Sequence, residues 1–378
     1  MKHCLGCGHF FNALTQGELA GLSLYYQEEY APSNLGVADK IGDRPGSDGA
    51  LTIERYEGLF DAISPHIDVE QSVLDVGCAL GGFLDYIGHK GFRNVAGVDM
   101  TKTYVDQARL TKPYPIKIGN AESLPFDDES FHVVVMEQVM EHLYHPGKAF
   151  LEARRVLKPQ GILSIGVPDA ARYGDCHFFD YYWILLREHI QHFDIAHLAL
   201  LGQRFGFELL EYRETVHAIM TEQMRMPNLY AIFRRTEKTG STIETSLDKT
   251  RLGEKMKAYL VQEKAHQIVR RKQIEALRQS RRPIYAWGIG REFLYLYESV
   301  GLKRCHIAGL IDANPHKQKN AFVDHRPIQK AESLLPAAPF DCVLMITALA
   351  HTAAITEAAK VLGFRGEILD ISQRRRDD

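Results

Sequence analysis

The chain has 378 residues, 45% hydrophobic and 25% charged, enough for two or three domains with sizeable cores and too ordinary for a collagenous, low-complexity or disordered protein. Its 45 Lys and Arg against 48 Asp and Glu leave a net charge of -3, so no broad field draws it to a nucleic-acid backbone or an anionic membrane. No apolar run reaches the roughly 20 residues of a membrane span, and the N-terminal stretch lacks a secretory pattern. With six cysteines too few for a disulfide scaffold, the expectation is a cytoplasmic protein.

Residues 1–45 read as a small N-terminal segment. Cys4 and Cys7 have the spacing of half a zinc knuckle, with His3 and His9 beside them. A structural zinc wants four ligands and the sequence holds no second Cys-x-x-Cys, so zinc is the rival of an unmetallated turn. A tyrosine-rich stretch follows (Tyr25, Tyr26, Tyr30), then a Gly/Pro/Asp-rich exit that reads as a flexible boundary. From Leu51 the apolar positions Ile53, Tyr56, Phe60 and Ile63 predict a helix that Ser64-Pro65 stops.

Seven strands are then predicted at 72–77, 94–99, 115–119, 131–136, 161–167, 207–216 and 228–235, the first five mostly separated by amphipathic segments. Continuous Val/Ile runs bounded by Gly suit strands buried on both faces of a parallel sheet. The fold class is therefore α/β, with a doubly wound domain over 46–235. Residues 236–282 read as a polar linker and one or two solvent-bathed connecting helices, since their apolar positions are too sparse for a heptad seam. A second α/β unit over 283–378 opens with the strand PIYAWG.

Chemistry concentrates first at Val73 to Phe83, where a strand runs into a glycine-rich turn and a helix. Open α/β folds bind ligands at this edge of the sheet, and bare backbone lets a ligand approach. As a dinucleotide fingerprint the turn gives Gly77, Ala79 and Gly82, with Asp99, 22 positions beyond Gly77, placed for a ribose diol. A nicotinamide enzyme and an adenosylmethionine enzyme both need these features.

The downstream series GNAESLPFDDESF (119–131), VVVMEQVMEHL (133–143) and EARRVLKPQG (152–161) decides between them. In this order after the glycine turn it resembles the class I S-adenosylmethionine-dependent methyltransferases over about 70–170. The resemblance implies that Asp75, Gly77, Ala79 and Gly81 surround the methionine portion of the cofactor and that Asp99 takes the ribose hydroxyls beside Met100. It also implies that Asn120 and Ala121 meet the adenine edge, with Glu137 near the cofactor. Ala79 stands where this family usually has a second glycine, and Asn120 where Asp is frequent. Glu141-His142 reads as a cap or brace of the helix after the fourth strand.

The C-terminal unit carries Gly288-Ile-Gly290-Arg291 after a strand, with Asp312 22 positions beyond Gly290 and Phe293 in the place of a third glycine. Together with the Cys pair and the helical connector, this resembles the three-part sugar C-methyltransferases: a zinc-binding N-terminal domain, a methyltransferase core and a Rossmann-like domain without its own redox chemistry. The Tyr-His-Glu-His element of that family becomes Leu186-Arg187-Glu188-His189 here. The resemblance implies a sugar or nucleotide-sugar-like acceptor, methylated at carbon or oxygen, with no nucleic-acid partner; a homodimer is compatible with it. The alternatives are an NAD(P)-dependent oxidoreductase and a non-catalytic binding module.

On the acceptor side, residues 175–197 are dense in aromatics and histidines. Glu188, His189 and His192 are the candidate catalytic residues. His189 matches the last residue of the family element, while on a helix Glu188 and His192, at i and i+4, would be the pair that touches. Asp175, His177 and Asp180 match no tight metal-ligand spacing.

Overall fold

The computed structural model describes residues 1–30, 45–219, 221–237 and 248–371. Much of the Gly/Pro/Asp-rich exit and most of the polar linker lie outside the described residues. The chain forms two compact units, Met1–Cys176 with Leu186–Tyr259, and His177–Leu185 with Leu260–Asp378.

In the first unit all seven predicted strands form one sheet: β1 (Val73–Val76), β2 (Val95–Asp99), β3 (Ile116–Ile118), β4 (Phe131–Glu137), β5 (Leu157–Pro168), β6 (Phe207–Ile219) and β7 (Thr221–Arg235). Their order is β3-β2-β1-β4-β5-β7-β6. The first five run parallel, and β7 enters antiparallel to both β5 and β6. Two apolar cores lie on the sheet's faces, one around Val76, Met136, Phe150 and Phe233, the other around Leu59, Val73, Phe83 and Val135. That double burial is why the central strands read as uninterrupted Val/Ile runs. The helix Pro146–Val156 starts on Pro146, whose missing N–H costs nothing at that position, and buries Ala149, Phe150, Ala153 and Val156 at helical spacing.

The N-terminal segment is part of this unit. Lys2–His3, Phe10–Phe11 and Gln191–His192 form a three-stranded antiparallel sheet. Next comes the helix Gln16–Leu24, started by a reciprocal capping box between Thr15 and Glu18 and continued as a π-helical turn through Tyr25–Glu29.

The second unit has a six-stranded sheet of β8 (Ile284–Trp287), β9 (Ile307–Ile311), β10 (Phe322–Val323), β11 (Arg326–Gln329), β12 (Val343–Ile346) and β13 (Glu367–Asp370), ordered β10-β11-β9-β8-β12-β13. Two expectations are corrected here. The connector is a single helix, Arg251–Ser280, and it is not solvent-bathed: Leu252, Met256, Tyr259 and Ile274 are buried on one stripe that continues through Glu263 and Arg270. The apolar pattern looked sparse because polar residues occupy part of the buried stripe. Second, His177–Leu185, expected inside the methyltransferase region, belongs to the second unit. Its aromatics decide this: Phe179 and Tyr181 meet Tyr295 edge-on, and Arg291 stacks over Tyr182 at 4.5 Å.

Candidate functional site

The glycine turn lies between β1 and the helix Gly82–His89, at the C-terminal edge of the sheet. Gly77 has φ +81°, and a Cβ there would stand 2.6 Å from Val139 Cγ2. Glycine thus serves both backbone freedom and close approach of the turn to the segment after β4. Ala79 takes φ +45°, which explains why a glycine is usual at this place. The N–H of Ala79 donates to Asp99 Oδ2 at 2.9 Å and that of Thr101 to Oδ1 at 2.8 Å, so Asp99 ties the turn to the end of β2.

Gly82 meets a segment for which the sequence reading assigned no site role. Its N–H donates to Gly46 O at 2.9 Å, and a Cβ would fall 2.4 Å from Ser47 O. The end of the Gly/Pro/Asp-rich exit therefore packs directly on the turn.

Buried carboxyls line this edge. Burial, with Asp99 beside it, raises Asp75 to about 7. Burial also raises Glu137 to about 8, with Asp75 adding to the effect and Arg55 opposing it. Burial lifts Asp99 too, against the two backbone N–H groups that favour its charged form. Of the other expected cofactor residues, Met100 is 46% exposed beside Asp99. Gly81 caps the helix at φ +78°. The Asn120 carboxamide accepts from Glu122 N–H at 2.9 Å, and Ala121 is buried in the core.

A second group adjoins the turn. Tyr104 packs with Ala79, and Tyr30 meets Tyr104 edge-on at 6.0 Å. Tyr26 touches Tyr30, and its hydroxyl lies 2.9 Å from His142 Nδ1. His142 meets His189 edge-on at 4.8 Å. His142 is no helix cap: it ends the 3-10 turn Met140–His142 and its Nδ1 lies 3.0 Å from the carbonyl of Glu188. Burial lowers its pKa, Glu188 opposing, so neutral imidazole is favoured. Glu141, fully buried, is raised well above the usual carboxylate range by burial, with Glu137 adding. Glu141, His142 and His189 bring one donor atom each within 4.8 Å of one another.

The helical pairing of Glu188 with His192 is corrected. Residues 186–190 are not helical, and His192 lies on the short strand Gln191–His192, opposite Phe10. It is fully buried beside Tyr173 OH at 3.2 Å, and burial holds its pKa down to about 3. His192 is thus a sheet residue held neutral by burial. Its neighbour three positions back, His189, faces His142.

Sequence reasoning missed Tyr26, Tyr30 and His142 as members of one cluster. The capping box at Thr15 and Glu18 could have marked the tyrosine helix, but nothing in the spacing says what that helix covers.

Cys4 and Cys7 lie in one tight turn, with Gly8 N–H donating to Cys4 O at 2.8 Å. Among the described residues no group of three metal-donor atoms includes either thiol. The neighbouring His197 is committed elsewhere, with Nδ1 2.6 Å from Asp194 Oδ1 and Nε2 2.9 Å from Cys7 O. Two thiols do not make the four-ligand set of a structural zinc, so this turn does not fit the metal.

The sheet order, with five parallel strands and an inserted antiparallel β7, is that of the class I methyltransferase fold. Residues 74–165 match the family model described as "Methyltransferase domain". The chain is 36% identical over 159 residues to an uncharacterized 37.1 kDa transposon protein of Streptomyces fradiae, covering 40% of this chain and 44% of that protein. It is 34% identical over 116 residues to a Mycolicibacterium smegmatis protein named "probable S-adenosylmethionine-dependent methyltransferase", covering 30% and 44%. The chain thus spans less than half the length of these two curated relatives. Among solved structures, 1,6-didemethyltoxoflavin-N1-methyltransferase of Burkholderia thailandensis with bound S-adenosylhomocysteine aligns at 16% identity and TM-score 0.44, over 61% of this chain and 95% of that one. The chain carries a class I methyltransferase domain, and the cofactor of this class is S-adenosylmethionine.

Proposed function

We propose that the chain transfers a methyl group from S-adenosylmethionine to a carbohydrate-like small molecule, at carbon or oxygen. The observation that carries this reading is the continuity from the glycine turn and Asp99 through Tyr104, Tyr30 and Tyr26 to His142 and His189. The cofactor supplies an activated methyl on a sulfonium, so the protein's work is alignment, exclusion of water and removal of one proton.

In this reading Asp75, Gly77, Ala79 and Gly81 would surround the methionine portion, with Glu137 near the cofactor. Asp99 receives the ribose hydroxyls, and Met100, Asn120 and Ala121 border the adenine. The Tyr26–Tyr30 helix closes the site against water. His189 takes the acceptor's proton, from a hydroxyl for O-transfer or from carbon beside a ketone for C-transfer. His142, held neutral through burial and oriented by the carbonyl of Glu188, stands as its partner. Tyrosine hydroxyls and imidazoles gathered in one cluster suit a polyhydroxylated acceptor, which presents donors, acceptors and a weakly apolar ring face. The second unit would serve recognition or dimerisation.

The test has two stages. Titration calorimetry with S-adenosylhomocysteine is expected to show one site per chain, and absence of binding would overturn the reading. A mass-spectrometric screen of nucleotide sugars with S-adenosylmethionine is expected to show gain of one methyl group; turnover only on non-carbohydrate acceptors would refute the acceptor class alone. A melting shift with NAD(P) and none with S-adenosylhomocysteine would favour the oxidoreductase. Cofactor binding without turnover on any acceptor would favour a binding module.

A further inference from the structure

The second unit holds a cluster that the methyl-transfer reading leaves unused. The helix Arg251–Ser280 places Glu263, His266 and Arg270 along one side, spaced i, i+3 and i+7. Glu263 is 1% exposed, at a position where an apolar side chain would be ordinary. From the segment His177–Leu185, His177 comes to meet it.

His177 Nδ1 lies 3.2 Å from Glu263 Oε1, and His266 Nδ1 lies 3.3 Å from the same oxygen. The two rings are 4.1 Å apart, and the three donor atoms all fall within 4.8 Å of one another. The other carboxylate oxygen, Oε2, accepts the backbone N–H of Tyr181. Tyr181 has φ +57°, a left-handed backbone unusual for a bulky residue, so the loop is bent to deliver that N–H. Arg270 pairs with the buried Asp180 at 3.5 Å and is thereby engaged. Among the described residues, the two imidazoles are the only ion-pair partners of Glu263.

A buried carboxylate balanced by two half-buried imidazoles, with no lysine or arginine of its own, is a costly arrangement for protein groups alone. It suits a divalent cation well. Ligands about 2.0–2.2 Å from a tetrahedral zinc stand roughly 3.3–3.6 Å apart, close to the two separations observed. We propose that His177, Glu263 and His266 bind a divalent metal ion of the zinc class, with a fourth position open to water or another ligand. Binding needs the Nδ1 lone pair of each imidazole: a neutral ring moves its proton to Nε2, and a charged ring releases one to solvent. The Tyr181 N–H then orients the ligating carboxylate from the outer shell. Asp175 and Asp180, whose spacing with His177 matched no tight ligand set, are each engaged by an arginine, Asp175 by Arg172 and Asp180 by Arg270.

The test uses the full chain, stripped with a chelator, then titrated with zinc and read by elemental analysis and calorimetry. One zinc per chain is expected, and it is expected to remain in a Cys4→Ser, Cys7→Ser double variant. His266→Gln and His177→Gln, shown folded by circular dichroism, are each expected to weaken zinc by more than about a hundredfold, beyond what outer-shell changes cause. Cobalt in place of zinc is expected to give a visible spectrum without thiolate charge transfer. No zinc uptake by the stripped wild-type chain overturns the proposal; so does uptake abolished by the cysteine variant, or uptake unchanged in both folded histidine variants.

Discussion

The two glycine turns share a plan and differ in what is left for a ligand. In the first, Asp99 accepts the N–H of Ala79 at 2.9 Å and of Thr101 at 2.8 Å; in the second, Asp312 accepts those of Ile289 and Asn314, both at 2.9 Å. There the likeness stops. Lys317 Nζ reaches Asp312 Oδ2 at 2.8 Å and Ile289 O at 2.9 Å, so the second carboxylate already has a cation of its own chain. The second turn is also shorter, its helix opening at Arg291 soon after Gly288, whereas the first runs from Gly77 to a helix at Gly82. Where the first strand carries the buried acid Asp75 two residues before its glycine, the second carries Ala286. The two turns thus share one hydrogen-bonding plan and differ in length and in whether a lysine of the same unit already occupies the acid.

The largest expected effect concerns the chemistry beside the first turn. His189→Ala is expected to lower turnover by about 10²–10⁴, the usual scale for a lost general base. Cofactor affinity, read by calorimetry, is expected to stay nearly intact. Normal turnover in this variant, with His142→Ala inactive, would move the proton-accepting role to His142.

Next come the two acids. Asp99→Ala is expected to weaken S-adenosylhomocysteine by roughly 1.5–3 kcal/mol, through lost charge-assisted hydrogen bonds, whereas Asp312→Ala leaves that affinity unchanged. Equal losses in the two variants would erase the distinction between the turns.

A smaller effect follows from the pH behaviour of Asp75, which has no counterpart in the second turn. Its pKa rises from 3.8 to about 7 in the folded chain, so the folded state holds a proton that the unfolded state releases. Its contribution to stability therefore falls as pH rises from about 4 to about 7. Asp75→Asn removes that dependence. The melting temperature of the variant relative to wild type is expected to be more favourable near pH 8 than near pH 5; an equal difference at both would show that Asp75 is ionised throughout.

The smallest effect is at Ala79, whose φ of +45° glycine would adopt freely. Ala79→Gly relieves a left-handed cost of about 1–2 kcal/mol and adds unfolded-state entropy worth about 0.4–1 kcal/mol. A net gain between about 0 and about 1.6 kcal/mol is expected, measured by denaturant unfolding, with cofactor binding retained. Clear destabilisation would mean that the Ala79 methyl packs against Tyr104 more tightly than it strains the backbone.

The seven strands of the first sheet, both glycine turns and the acids that follow them were legible in the sequence, because each rests on local physics. A strand buried on both faces must be apolar along its length, a left-handed turn calls for glycine, and an acid at the end of the next strand sits a fixed distance down the chain. Tertiary structure alone decided the rest. Tyr26 meets His142 across 116 residues and His177 meets Glu263 across 86, and no spacing rule connects side chains so far apart. The stripe of the helix Arg251–Ser280 looked sparse because Glu263 and Arg270 hold buried positions, which composition reads as solvent-facing. His189 and His192, three residues apart, differ only because 186–190 is irregular and His192 joins a strand, which turns one imidazole toward His142 and shuts the other away. Local propensity governs how a segment folds, but which distant surface desolvates a given side chain is a property of packing, and packing sets what that side chain can do.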